Sequence, residues 1–180
     1  MSERAQFVLM ASYNEWMNAK LYEAAARLPH EALTADCGAF FGSLFGTLSH
    51  LVAGDTIWLQ RFARHFTQHA ALDPVRALPP PAGLDAPFAD SLPALFAHRC
   101  MLDGVIRDFV AGLDDADLEQ VVHYTNTKGV VSDKRFASLL QHVLNHQTHH
   151  RGQASTLLSQ AGIDIGVTDL LALIPNEALA

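Results

Sequence analysis

The chain has 180 residues, 49% of them hydrophobic and 17% charged, enough apolar material for one domain over residues 1–180 and too little charge for a disordered chain. Twelve Lys and Arg stand against nineteen Asp and Glu, a formal charge of −7, and no basic run tracks phosphates, which argues against a nucleic-acid partner. Cys37 and Cys100 are the only cysteines, too few for a disulfide framework or a Cys-rich zinc site.

The first sixteen residues carry Glu3, Arg4, Ser12 and Asn14, so they lack the apolar core of a signal peptide. No stretch reaches the roughly 18–20 apolar residues of a membrane span. A cytoplasmic protein without a membrane partner is the expectation. From Gln6 to Leu28, Phe7, Met10, Ala11, Trp16, Met17, Leu21 and Ala25 recur mostly at helical steps, and Pro29 ends that first helix. Leu33 to Gly38 reads as a connector. A second helix is predicted over 41–66, with Leu44, Leu48, Leu51, Ile57, Trp58 and Phe62 as its buried stripe.

Five prolines between Leu72 and Pro87 leave no room for a continuous helix. Such a connection can carry the chain along a bundle, so that the next helix runs parallel to its predecessor. That third helix is predicted over 91–113, with Ser91 as N-cap and Pro93 in the first turn. EQVVHYTNTKGVVSD, ending at Asp133, then changes texture, with β-branched and aromatic residues on both sides of Asn126 to Gly129. It reads as a short β-hairpin. A fourth long helix should run from Lys134 to Gln160, stopped by Gly162. In the tail, Leu170 to Ile174 is expected to dock on the bundle. The fold class is therefore all-α, a four-helix bundle with a Pro-rich crossover and a hairpin before the last long helix.

The last helix contains QHVLNHQTHHRGQ, with His142, His146, His149 and His150. Residues four apart lie about 40° apart around a helix and one turn apart along it, so His146 and His150 can face one ion. His142 and His146 have the same spacing, and spacing alone does not choose between the two pairs. A third ligand must come from another helix, and His50, flanked by Leu48 and Leu51, is the obvious source. Two histidines from one helix and one from another leave coordination positions open, as catalytic sites do. Ordinary core or surface histidines are the competing reading in a chain with ten of them.

Two metal chemistries fail on the letters. A zincin needs Glu after the first His as general base, and Gln147 stands there; a di-iron bundle needs Glu-x-x-His on two helices, and Glu15, Glu23, Glu31 and Glu119 have no His at the third position. His50, Gly54 and Trp58 form a row that could be a ligand, a gap and an aromatic wall; close helix packing and core filling explain the last two as well. Asp55, about 140° around from His50, suits a hydrogen bond to another helix or to a ring N–H in the shell behind the ligands. His149, about 60° from His146, also belongs in that shell or in solvent. Asn14, Asn18 and Tyr22 form a polar row that faces either the pocket or solvent. Arg151 suits a carboxylate or an interhelical salt bridge, and Cys100 reads as core.

The segment Asn-His-x-x-His-His-Arg-Gly-Gln, with His-x-x-x-x-Asp-x-x-Trp earlier in the chain, resembles the DinB/YfiT-like family of metal-dependent proteins. The resemblance extends from Tyr13-Asn14-Glu15-Trp16 through the Pro-rich crossing and the hairpin to NHQTHHRGQ. It implies a four-helix bundle with a divalent ion, zinc or nickel first, held by three histidines that map onto His50, His146 and His150. By the same resemblance His142 is not a primary ligand. Related proteins include thiol-dependent transferases and isomerases, in which the metal activates the thiolate of a small cofactor. Two functions follow as expectations. One is a metal-dependent transferase or hydrolase acting on a small electrophile with a low-molecular-weight thiol. The other is a non-catalytic metal-binding stress protein, a homodimer with a structural or sensory ion.

Overall fold

A computed structural model describes residues 2–85 and 87–176. Four long helices carry the fold: α1 (Glu3–Ala25), α3 (Leu44–His65), α5 (Leu92–Gly112) and α7 (Phe136–Gln160). Short helices α2 (His30–Thr34), α4 (Asp73–Arg76) and α6 (Asp115–Glu119) lie in the connections, and strands β1 (Val121–Thr125) and β2 (Val131–Arg135) form an antiparallel hairpin before α7. No helix among the described residues is long and apolar enough to cross a membrane.

Caps decide where the helices begin. Ser2 Oγ accepts from Ala5 N, which starts α1 three residues before the apolar spacing does; Ser43 Oγ accepts from Gly46 N and starts α3 at Leu44 rather than at 41. Gly42 sits at φ +75 just before that cap, a backbone state open to glycine. Ser91 caps α5 through Ala94 N, with Pro93 in the first turn as expected. Pro74 likewise sits in the first turn of α4, where its missing N–H costs nothing. Asp114 and Asp117 cap α6 reciprocally. In the hairpin, Asn126 Oδ1 accepts from Lys128 N and Val130 N while Gly129 takes φ +80.

Cross-helix pairs fix the directions. Asp55 meets Arg99 and Phe62 meets Phe109, so α3 and α5 run parallel across the crossover. Asp55 also meets Gln147 and Phe62 meets Phe136, so α3 and α7 run antiparallel. Glu3 meets Arg135 and Asn14 meets Arg151, so α1 and α7 run parallel. Helix α1 thus packs on α5 and α7, and α3 packs on the same two. The apolar centre lies toward one end, where the fully buried Phe62, Phe66, Phe109 and Phe136 pack ring on ring at 4.5 to 6.3 Å.

One expectation holds only in part and another fails. The segment Leu170–Leu173 does lie against α1, with Leu170 and Leu173 half-buried, but it is a 3-10 turn with no fully buried side chain and Leu171 is 75% exposed. The tail is also held by Ile163 and Ile165 against the core and by Tyr13 Oη donating to Thr168 O at 2.6 Å. Cys100 is exposed rather than core, since it sits next to Arg99 on the outer face of α5.

Candidate metal centre

Helix α7 places His146 and His150 one turn apart, and antiparallel α3 brings His50 against them. One ring nitrogen from each of the three lies within 4.8 Å of the others. His50 and His150 are 6% and 9% exposed, and His146 is partly buried. The orientation of two rings is fixed from behind. His50 Nδ1 donates to the Leu84 carbonyl at 3.1 Å, which turns its Nε2 inward to within 3.1 Å of His146 Nε2. His150 Nδ1 donates to Gln153 Oε1 at 2.7 Å, so its Nε2 lone pair is the one left to bind. Such partners set the tautomer and raise the basicity of a ligating imidazole.

Nitrogens about 2.0–2.1 Å from a zinc ion lie roughly 3.3–3.4 Å apart in tetrahedral and about 2.8–3.0 Å apart in octahedral arrangement. The His50–His146 spacing of 3.1 Å falls between the two, within a few tenths of an ångström of either. Phe41 closes one side, stacked on His50 with ring centroids 3.9 Å apart and edge-on to His150 at 5.4 Å. Its carbonyl lies where a side chain at Gly46 would be, 2.1 Å from an added Cβ, so the bare helix start lets this loop come close.

On the other side a cleft of about 220 Å³ opens beside His50 and His146. Gly54, Trp58, Arg61, Leu84 and His142 line it, together with Tyr124, Asn126 and Thr127 from the hairpin. An added Cβ at Gly54 would stand 3.1 Å from His146 Cε1, so Gly54 is the space in which the His146 ring sits. Ala in its place gains helix propensity of about 1 kcal/mol but pushes that ring. Gly54→Ala should therefore leave the melting temperature equal or higher while weakening zinc uptake; tighter zinc binding in this variant would contradict the assignment.

Other candidates fall elsewhere. His142 lies outside the three-nitrogen group, its ring edge-on to Trp58 at 5.2 Å and 6.0 Å from His146. His149 is exposed, with its ring 4.8 Å from that of His150. Asp55 does not reach a ring N–H. It is buried and bonded by Arg99 Nη1 at 2.8 Å and by Gln147 Nε2, so it bears on the site only through the residue next to His146.

Asn14 requires correction: it does not line the cleft. Its side chain is buried, donating to Asp103 Oδ1 at 3.0 Å and accepting from Arg151 Nη1. Asn18 donates to the same oxygen at 2.9 Å, and Arg99 Nη2 lies 3.1 Å from it without an aligned hydrogen bond. The polar row of α1 is therefore spent on a charge network through all four long helices, because Arg99, Asp103 and Arg151 point inward where their partners are.

Burial pushes the pKa values of His50, His146 and His150 below the ordinary imidazole value, against the pull of the Leu84 carbonyl and Asp85 on His50; repulsion from neighbouring imidazoles adds to it at His146 and His150, and His146 falls to about 3. All three are neutral at neutral pH, the state a metal requires. The unfolded chain takes up these protons near pH 6.5 and the native protein does not. Its unfolded state therefore binds more protons below that pH, and native stability falls as pH drops. In chelator, the melting temperature should decline from pH 7 to 5, and less steeply in His146→Asn. An unchanged slope would show that the imidazoles are not held neutral.

The profile of the DinB family matches residues 1–177. Protein DinB of Bacillus subtilis (strain 168) is 26% identical over 158 residues, covering 87% of each chain. No solved structure matches.

Proposed function

Since the chain belongs to the DinB family and gathers three neutral imidazoles beside a cleft, we propose that it is a metal-dependent enzyme transferring a low-molecular-weight thiol to a small electrophile. The observation that carries this reading is the pairing of His50, His146 and His150 with an open cleft bordered by two of them. A divalent ion bound there, zinc or nickel, would keep a coordinated thiol ionised near neutral pH.

The protein's own groups do the rest. Leu84 O and Gln153 Oε1 hold His50 and His150 in the ligating tautomer, so no reorganisation is needed at the moment of binding. Phe41 keeps water from one side of the imidazoles, and the cleft holds the electrophile on the other. In the transfer the thiol, having lost its proton to solvent, forms a C–S bond with a sulfur lone pair, and the leaving group departs with the electrons of the broken bond. None of the described residues lining the cleft is acidic, so none of them is a carboxylate that could remove the thiol proton.

The test is thiol consumption with a small alkyl halide, with and without chelator. Turnover should disappear in chelator and return with one equivalent of zinc or nickel. At saturating metal it should already be at plateau near neutral pH. A rise following the free thiol's own ionisation would remove metal activation from the scheme. No turnover at all, with a melting temperature that still depends on metal, would favour a structural or sensory ion.

A further inference from the structure

Arg61 is a charged residue of the cleft that the thiol chemistry above does not use. It lies on α3 beyond Trp58 and lines the same cleft as His50 and His146. Its guanidinium carbon stands 4.5 Å from the Trp58 ring centroid and 5.1 Å from that of Tyr124. Nη2 donates to the Thr125 carbonyl at 3.2 Å. The side chain is thus clamped between a helix and the hairpin by two aromatic rings and one backbone bond.

Those contacts use one of its five N–H donors, and among the described residues no carboxylate pairs with it. Arg76, Arg99, Arg107 and Arg135 have acidic partners; Arg4, Arg27, Arg64 and Arg151 show none among the described residues, but these four do not line the cleft. Among the described residues the lining of the cleft contains no Asp or Glu; Asp85, next to Leu84, is exposed and outside that lining, though near enough to raise the pKa of His50. A fixed, partly buried cation with free donors, in a cleft whose described lining carries no acid, is complementary to an anion.

We propose that Arg61 is the anion-recognition residue of this cleft, and that the ligand is a small molecule bearing a carboxylate on a flat apolar body. The inference deepens the enzyme reading above by naming the chemical class that the cleft accepts. One guanidinium, with no Lys or second Arg in the lining, suits a monoanion, and its planar fork matches a carboxylate in two parallel bonds. Trp58 and Tyr124 supply aromatic surface, and about 220 Å³ admits a molecule the size of a substituted benzoate.

The experiment titrates benzoate and its neutral isostere benzamide into chelator-treated and zinc-loaded protein, following amide shifts by NMR. Chelator-treated protein matters because a carboxylate can also bind a metal directly. There the wild type should bind benzoate about ten-fold or more tighter than benzamide, the margin expected of hydrogen bonds to a charged group. Arg61→Gln should abolish that margin and leave benzamide binding as it was, which also shows the variant folded; Arg61→Lys should retain part of it. Arg64→Gln, a nearby exposed arginine outside the lining, should keep it all.

Equal affinity for the two probes in the wild type, no binding of either, or a margin that survives Arg61→Gln would each overturn the assignment. Zinc content measured on the same samples separates the two proposals. Absent zinc with an intact margin sinks only the metal reading, and full zinc with no margin sinks only the role of Arg61.

Discussion

Alanine at His50, His146 or His150 should each lower zinc affinity by about 100-fold or more, because even the groups behind metal ligands are typically worth 10–100-fold and these replacements remove a donor outright. Alanine at His142 or His149 should leave metal content near that of the wild type, since neither offers a nitrogen to the group. Metal analysis of protein purified without a histidine tag gives the answer directly. Full retention in His50→Ala would end the three-histidine assignment, because α7 alone then holds the ion. Loss of metal in His142→Ala would show that the competing register of α7 is in use.

The second large effect lies away from the site. Arg99→Met should destabilise the protein by about 3–5 kcal/mol in urea denaturation, the cost of removing one partner from a buried ion pair. Arg99 is 0% exposed, and Asp55 and Asp103 depend on it. Burial pushes both carboxyl pKa values up, and Arg99 pulls against that. Burial alone would lower the pKa of Arg99, but Asp103 and Asp55 outweigh it and hold the guanidinium charged.

Without Arg99 the two carboxyls rise further, so the native state binds protons that the unfolded chain does not. The deficit should then shrink as pH is lowered from 7 toward 5. Adding Asp55→Asn and Asp103→Asn should recover part of the loss at neutral pH. A small deficit that does not change with pH would mean that water or a shifted side chain compensates the pair.

The four long helices and the hairpin were legible because each signal is local: apolar spacing, the prolines of the crossover, Ser91, and Asn126 to Gly129. The pairing of His146 with His150 was legible for the same reason, as a property of one helix. Leu84 was not, because it acts through its carbonyl, which every residue type possesses. Arg61 and Tyr124 meet only once the hairpin folds back on α3. The charge network was misread from Asn14 because inward and outward polar rows look alike until the partners, 89 residues away at Asp103 and 137 at Arg151, are in place. Phe41 could have been suspected from Gly42 and Gly46 beside it.

The order of the helices in space also governs how the chain can assemble. Helices α1 and α3 follow one another in sequence yet pack mainly on α5 and α7, and α5 and α7 pack mainly on α1 and α3. The one pair that is both consecutive and adjacent, α3 with α5, is parallel and separated by the whole crossover. No two successive long helices therefore form an antiparallel hairpin that could bury its own apolar faces first. Contacts across the bundle close loops of 44 to 137 residues, which makes folding slower than in an up-and-down bundle and leaves no half of the chain a core of its own. A chain cut in the crossover would yield two pieces that fold only on each other.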